Sequence, residues 1–434
     1  MKVKKLVVSM FAVGMVASPL ANATNGYFSH GYGMKAKGMG GAATAMAIDA
    51  MGGANNPASM VWVGDRLDVG IDWFSPKREA SRTGSALAGN VDFTEASSSD
   101  NFFVPEFGYN HMLNSNMSLG ITVYGNGGMN TSYTSGTSVA TCAAMGGAPA
   151  PSNPLCGMGE LGVNLEQLII APTFAYKLNE SHSIGVTPMY VFQHFRANGL
   201  QAFGAISSNP AALTNMGHDK SDGFGIRLGW QGRVADSVTL GATYSPRIDM
   251  SKFDKYAGLF ANQGDFDIPE NYNLGIAFKA SPTVTIAADY QRINYGGVPA
   301  IANSSTQPGC PGTGCLGGST GIGFGWANTS VYKIGVEYAY SQEMTLRAGY
   351  NHGDNPIQSR DVTFNILAPG VIEDHFTLGM TYAVTKDSEL TASYMHAFTK
   401  SVSGATNTVY FPAGGTDTIT MYQNSFGIAY GMKF

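Results

Sequence analysis

Alternation with a period of two constrains this chain more than any other feature. Over residues 425–434 large apolar side chains take every even position: Phe426, Ile428, Tyr430, Met432 and Phe434. Small or polar ones take every odd position: Ser425, Gly427, Ala429, Gly431 and Lys433. Successive side chains of a strand point to opposite faces, so this is a strand with one greasy face and one small polar face. The pattern recurs. Leu67, Val69, Ile71 and Trp73 alternate with Asp68, Gly70 and Asp72, and Val284, Ile286, Ala288 and Tyr290 with Thr285, Ala287 and Asp289. Ile334, Val336, Tyr338 and Tyr340 alternate with Lys333, Gly335, Glu337 and Ala339, and Phe376, Leu378, Met380 and Tyr382 with Thr377, Gly379 and Thr381. The fold class is all-β.

The start of the chain says where the greasy face goes. Lys2, Lys4 and Lys5 form a basic region, residues 6–17 an apolar run too short to span a bilayer, and Ala21-Asn22-Ala23 a small-x-small cleavage site. Residues 1–23 are therefore expected to be a secretory signal peptide. No later run is long and apolar enough for a transmembrane helix, and a bilayer then admits only a closed antiparallel barrel. Composition agrees: charged residues are 13% and hydrophobic ones 44%, the rest being rich in Gly (56), Ser, Thr and Asn. A lipid face and a small polar lumen face call for that mixture. Removing the three signal lysines from 25 basic residues leaves 22 against 30 acidic ones, a net charge of −8. An acidic chain without basic clusters argues against a nucleic-acid partner.

Tight turns are expected at 113–116, 178–181, 235–237, 281–283, 340–343 and 386–388. Long Gly/Pro/Ser-rich loops are expected at 83–100, 135–163, 198–220, 251–267, 298–327, 355–370 and 403–416. Six turns and seven loops join about fourteen strands, with short turns on one side of the membrane and long loops on the other. Residues 24–64 lack alternation and carry Met34, Met39, Met46, Met51 and Met60. Low charge favours a packed plug there over a disordered tail. The domains are thus signal peptide 1–23, plug 24–64 and transmembrane barrel 65–434.

Several motifs invite a chemical reading. Gly31-x-Gly33-x-x-Ala36 imitates a dinucleotide fingerprint but follows a signal peptide, not a strand. Gly317-Gly318-Ser319-Thr320-Gly321 imitates a nucleophile elbow inside a Gly-rich loop. Neither supports catalysis, and no cofactor or metal is expected. Cys142, Cys156, Cys310 and Cys315 form two local pairs without metal-ligand spacing. Two disulfide staples, Cys142 with Cys156 and Cys310 with Cys315, are the expected state, with free thiols the alternative. Gly125, Asn126, Gly127 and Gly128 interrupt the third wall strand. Glycines within a strand mark a bulge or a close approach, which leaves two readings there: a local opening of the wall, or small lumen residues making room for the plug.

The aromatic end at Phe434 resembles the terminal strand of outer-membrane barrels. Residues 31–42, Gly-Tyr-Gly-Met-Lys-Ala-Lys-Gly-Met-Gly-Gly-Ala, followed by Ala47-Ile48-Asp49-Ala50 and Asn56-Pro57-Ala58, resemble the amino-terminal hatch of the FadL family of outer-membrane transporters. Asn164-Leu165-Glu166, Ile268-Pro269-Glu270, Tyr350-Asn351-His352-Gly353-Asp354-Asn355-Pro356 and Tyr394-Met395-His396 extend the likeness over nearly the whole mature chain. The resemblance implies a fourteen-stranded barrel plugged by a hatch, taking up long-chain fatty acids or hydrocarbons and releasing them sideways through the wall. It also implies that a basic group in the strand of His194 and Arg196 meets a carboxylate, although position 194 here is His rather than Arg. These two are the expected substrate-binding residues. Uptake of aromatic or alkane hydrocarbons is the alternative, and an outer-membrane lipase or a surface adhesin the more distant ones. Expected partners are hydrophobic small molecules, outer-membrane lipids with lipopolysaccharide, and the barrel assembly machinery, with the protein a monomer in the outer membrane of a Gram-negative bacterium.

Overall fold

A computed structural model describes residues 24–86, 91–134, 142, 152–306, 310, 312–409 and 411–434. The expected signal peptide, 1–23, lies outside the described residues. The strands are β1 (Arg66–Thr83), β2 (Phe93–Ala96), β3 (Phe102–Asn114), β4 (Met117–Asn130), β5 (Gly162–Lys177), β6 (His182–Asn198), β7 (Asp219–Ala235) and β8 (Val238–Ser245). They continue with β9 (Asn271–Lys279), β10 (Val284–Ile293), β11 (Thr329–Ala339), β12 (Met344–Gly353), β13 (Asp374–Thr385), β14 (Ser388–Ala405) and β15 (Thr416–Lys433).

Each strand pairs antiparallel with its neighbours, and β15 closes on β1 from Arg66↔Lys433 to Thr83↔Thr416. The short β2 pairs only with the end of β1, so the closed wall has fourteen strands. Closure pairs the two end strands that an open sheet would leave unpaired in a bilayer. Large apolar residues stand outward: Ile71, Trp73, Leu274, Ile276, Tyr332, Ile334, Phe426 and Ile428 are all exposed, and Phe224 is 77% exposed. Their strand neighbours Asp72, Asp289, Lys333 and Ser425 are buried inside. This inverts a soluble protein and matches a wall facing lipid. No described helix is long and apolar enough to cross a membrane.

All six expected turns join wall strands, and the long connections lie at the opposite end. Two loop expectations need correction. Residues 83–100 contain β2, whose Phe93 lies under the Arg82 guanidinium, 5.5 Å from the ring centroid. Strands β14 and β15 run on to Ala405 and back from Thr416, so their loop is shorter than 403–416.

Residues 24–65 precede the wall. They hold a four-residue helix, Met34–Lys37, and a 3-10 turn, Pro57–Trp62. Their hydrogen bonds reach β1 (Lys37 Nζ to Asp72 Oδ2, 2.8 Å), β3 (Gly33 N to Glu106 Oε2, 3.1 Å) and β7 (Asn56 Nδ2 to Trp230 O, 3.0 Å). They also reach β10 (Ala43 N and Thr44 N to Asp289 Oδ2, both 2.9 Å) and β13 (Gly40 N to Thr377 Oγ1, 2.8 Å). A segment bonded to inward side chains around a closed ring lies inside it. Close approach needs glycine on both sides: a Cβ on Gly379 would sit 3.0 Å from Gly38 Cα.

Candidate functional site

The wall is incomplete at one place. Strand β3 pairs with β4 only from Phe107↔Val123 down to Asn114↔Met117. Beyond that, β3 continues to Phe102 on its β1 side and β4 continues to Asn130 on its β5 side. Residues 102–106 and 124–130 thus have no ladder between them. Above the gap, Ser98 N donates to Ser132 O (2.8 Å) and Ser132 N to Ser97 Oγ (3.0 Å). The gap is a bounded window, not a split barrel.

Its cause is local. Gly125 pairs with Leu168 and Gly127 with Gln167, leaving Asn126 as the extra residue of a β-bulge. A bulge bends its strand, and residues 124–130 are buried on both faces. Asn126 is held by Tyr32 Oη, donating to Asn126 Oδ1 (3.0 Å), and itself donates to Gln167 Oε1 (2.9 Å). The freed backbone finds partners in the amino-terminal segment: Phe28 bridges to Gly127, Ser29 N donates to Asn126 O (3.2 Å) and Gly128 N to Tyr27 O (3.3 Å).

An aromatic chain leads away from the window. Tyr27 lies 5.2 Å from Phe28, 5.4 Å from Tyr295 and 6.3 Å from Phe266, centroid to centroid. Phe266 packs tilted against Phe260 (4.8 Å), which packs on Phe195 (4.6 Å). Phe253, Phe260 and Phe266 come from the long 246–270 connection and Phe195 from the outer end of β6. An aromatic path therefore runs through the external half of the interior, beside the buried Arg82–Asp417 pair.

His194 and Arg196 are brought together, but not in the lumen. Val191, Gln193, Phe195 and Ala197 are the buried, inward row of β6. His194 and Arg196 share the outward row with Tyr190 and Phe192, and the His194 ring lies edge-on to Phe192 at 4.6 Å. They stand on the outward row of the wall, not on the lumen row. Strand parity is the reason, since Phe195 takes the lumen position between them.

The other expected residues are placed as follows. Asn56 caps the 3-10 turn: its Oδ1 accepts from Ala58 N (3.0 Å) and its Nδ2 donates to Thr44 O (2.7 Å), with Pro57 at the first position of the turn. Cys142 is bonded to Cys156 and Cys310 to Cys315, in the long connections after β4 and β10. The methionines pack: Met39 and Met46 sit with Ala277 and Ala287, and Met60 with Ala50 and Ala175. Gly31 and Gly33 precede only the short Met34–Lys37 helix, and Gly317 to Gly321 stay in a turn-rich loop, so neither motif has its chemical context. Among the described residues no group of His, Cys, Asp or Glu could hold a metal ion.

A family model for outer membrane protein transport proteins (OMPP1/FadL/TodX) matches residues 16–434. The chain belongs to this family. As a FadL/TodX-family barrel it resides in the outer membrane. Solved structures agree in fold. The P. putida toluene transporter TodX superposes with a TM-score of 0.67 at 18% identity, covering 93% of this chain and 99% of that one. A Pseudomonas aeruginosa FadL homologue gives 0.66 at 15% identity over 96% and 100%. The Ralstonia pickettii toluene transporter TbuX gives 0.63 at 17% over 93% and 99%. Comparison with curated proteins gives no match.

Sequence reasoning missed the FadL-type barrel's aromatic chain and its buried ion pairs. Phe253, Tyr256, Leu259 and Phe260 were a visible apolar cluster within a long loop. Lys37 and Asp72, by contrast, are joined only by the fold.

Proposed function

We propose that the protein passively carries hydrophobic molecules inward across the outer membrane and releases them sideways through the window between β3 and β4. The observation that carries this reading is the window itself, directly joined by Phe28 to the aromatic chain. Cargo entering from outside meets apolar surface, worth about 0.8 kcal/mol per buried methylene. It then reaches the bulge at Gly125, Asn126, Gly127 and Gly128 without crossing the charged interior below. Residues 24–64 act as the hatch: ion pairs and hydrogen bonds around the ring hold them against bulk flow.

Long-chain fatty acids are the first cargo in this reading. Aromatic hydrocarbons are the second, supported by the likeness to the toluene transporters TodX and TbuX and by the outward placement of His194 and Arg196. That pair, with Lys220 opposite His194 on β7, stands on the outward row instead. Replacing Gly125, Gly127 and Gly128 with Val tests the exit. Oleate and toluene uptake should both fall with surface expression unchanged. Wild-type uptake by an assembled variant would place the exit elsewhere.

A further inference from the structure

One stretch of the outer wall carries basic side chains that transport leaves without a task. The outward row of β6 runs from Ile184 through Tyr190 and Phe192 to His194 and Arg196, and that of β7 from Leu228 through Phe224 to Lys220. The apolar part of the β6 row, Ile184 to Phe192, rises about 27 Å at about 3.4 Å per residue. Tilted by about 40°, it covers about 20 Å of height, close to the ~25 Å apolar band of outer-membrane barrels. Near its top the Tyr190 and Phe224 rings pack at 5.1 Å, where such barrels carry an aromatic girdle. His194, Arg196 and Lys220 come immediately above, at the level where lipid headgroups begin.

Basic groups gather there. Lys220 stands opposite His194. The His218 ring, just before β7, lies 6.2 Å from that of His194, and Lys255 Nζ donates to His218 O (2.8 Å). Lys220 and Lys255 are exposed and Arg196 is half-buried. Among the described residues none of these three cations forms an ion pair. Other bases near this end of the wall do hold acids: Lys77 pairs with Asp100, His352 Nδ1 meets Asp374 Oδ1 at 2.6 Å, and Lys400 Nζ meets Glu373 Oε2 at 2.5 Å. The acids of the patch are engaged otherwise. Asp219 accepts from the backbone N–H of Lys220 (2.9 Å) and of Lys255 (2.8 Å). Glu166, opposite His194 on β5, accepts from Asn164 Nδ2 (3.1 Å), and Asp222 Oδ1 from Ser251 Oγ (3.5 Å).

The place gives the partner's chemistry. The external leaflet of an outer membrane is built on phosphorylated glycolipid, and a phosphate monoester carries close to two negative charges. A planar Arg fork matches phosphate bidentately, and Lys adds point charge. Unpaired cations on the outward row, just above the apolar band, complement that leaflet in both charge and height.

We propose that Arg196, Lys220 and Lys255 form a site on the outer wall for a phosphate of the surrounding lipopolysaccharide. It gives the expected contact with lipopolysaccharide a defined position, and it holds whatever the cargo is.

Native mass spectrometry of the purified, detergent-solubilised barrel, titrated with bisphosphorylated lipid A, tests this. Lipid A stripped of both phosphates is the neutral control. Wild type should prefer the phosphorylated form. In the triple variant Arg196→Gln, Lys220→Gln, Lys255→Gln that preference should fall by about tenfold or more, since each Lys or Arg beside an anionic lipid surface contributes a several-fold share. Lys220→Gln alone, an exposed change that leaves packing untouched, should lose a several-fold part of it. Removing the same charges at the short-turn rim, in Arg233→Gln, Lys279→Gln, Lys386→Gln, should leave the preference unchanged. Equal loss in this control would overturn the proposal, as would an unchanged preference in a triple variant that still shifts its gel mobility on heating. So would displacement of the lipid by an equal concentration of inorganic phosphate, which would mark a site for the free anion.

Discussion

The two halves of the lumen are held by different physics. Towards the short turns the interior is charged and directional. Lys37 joins Asp72 and Glu106, Lys35 and Arg66 converge on Glu389, and Asp289 caps the backbone of Ala43 and Thr44. Towards the long loops an aromatic, non-directional path runs from Phe195 through Phe260 and Phe266 to Tyr27 and Phe28, with directional bonds such as Arg82–Asp417 off to its side. Directional bonds fix a segment in one place. Apolar contacts adapt to what replaces them, since their strength follows area rather than angle. The lower half suits a fixed hatch and the upper half a surface that cargo can enter.

The largest expected effect comes from breaking a latch in the lower half. Lys37→Met leaves Asp72 and Glu106 buried without their cation, a change worth about 3–5 kcal/mol. Thermal unfolding should start earlier, and cells should become more permeable to small polar antibiotics while still taking up oleate. Loss of uptake with no new leak would erase the division between the halves. Phe260→Ala in the upper half should do the reverse. It removes a buried ring at about 3–5 kcal/mol of local packing, without touching the latch. Oleate uptake should weaken with no antibiotic leak.

A smaller effect is expected from Asn56→Ala. The cap of the 3-10 turn and the bonds to Thr44 and Trp230 are lost together, about 1–2 kcal/mol by the measure of helix caps. Leak should rise modestly, below that of Lys37→Met. The smallest belongs to Cys310→Ser with Cys315→Ser. That staple closes a short external loop, so uptake should stay within about twofold of wild type, even where stability drops by about 2 kcal/mol.

The same division explains what could be read in advance. Strands such as 67–73 and 334–340 alternate cleanly because one face meets lipid and the other meets small polar groups. The glycines at 125, 127 and 128 announced a bulge for the same reason, as an interruption of a regular row. Alternation fails where both faces are apolar. In Tyr190-Val191-Phe192-Gln193-His194-Phe195-Arg196 aromatic rings fall on both faces, Phe192 outward and Phe195 inward, so the sequence did not say which face His194 shares. The latch pairs had no local signal either. Gly40 and Thr377 are 337 positions apart, and only closure of the ring brings them together.

The central claim is that cargo leaves through the window. Val104 on β3 and Gly125 on β4 face each other across it, with Val104 Cγ1 3.1 Å from where a Gly125 Cβ would stand. A Val104→Cys, Gly125→Cys double variant should therefore close the window with a disulfide under oxidation and reopen it on reduction. Oleate uptake should be low in oxidised cells and recover with reductant, at equal surface expression. Uptake that is unchanged by a fully formed crosslink would contradict lateral release.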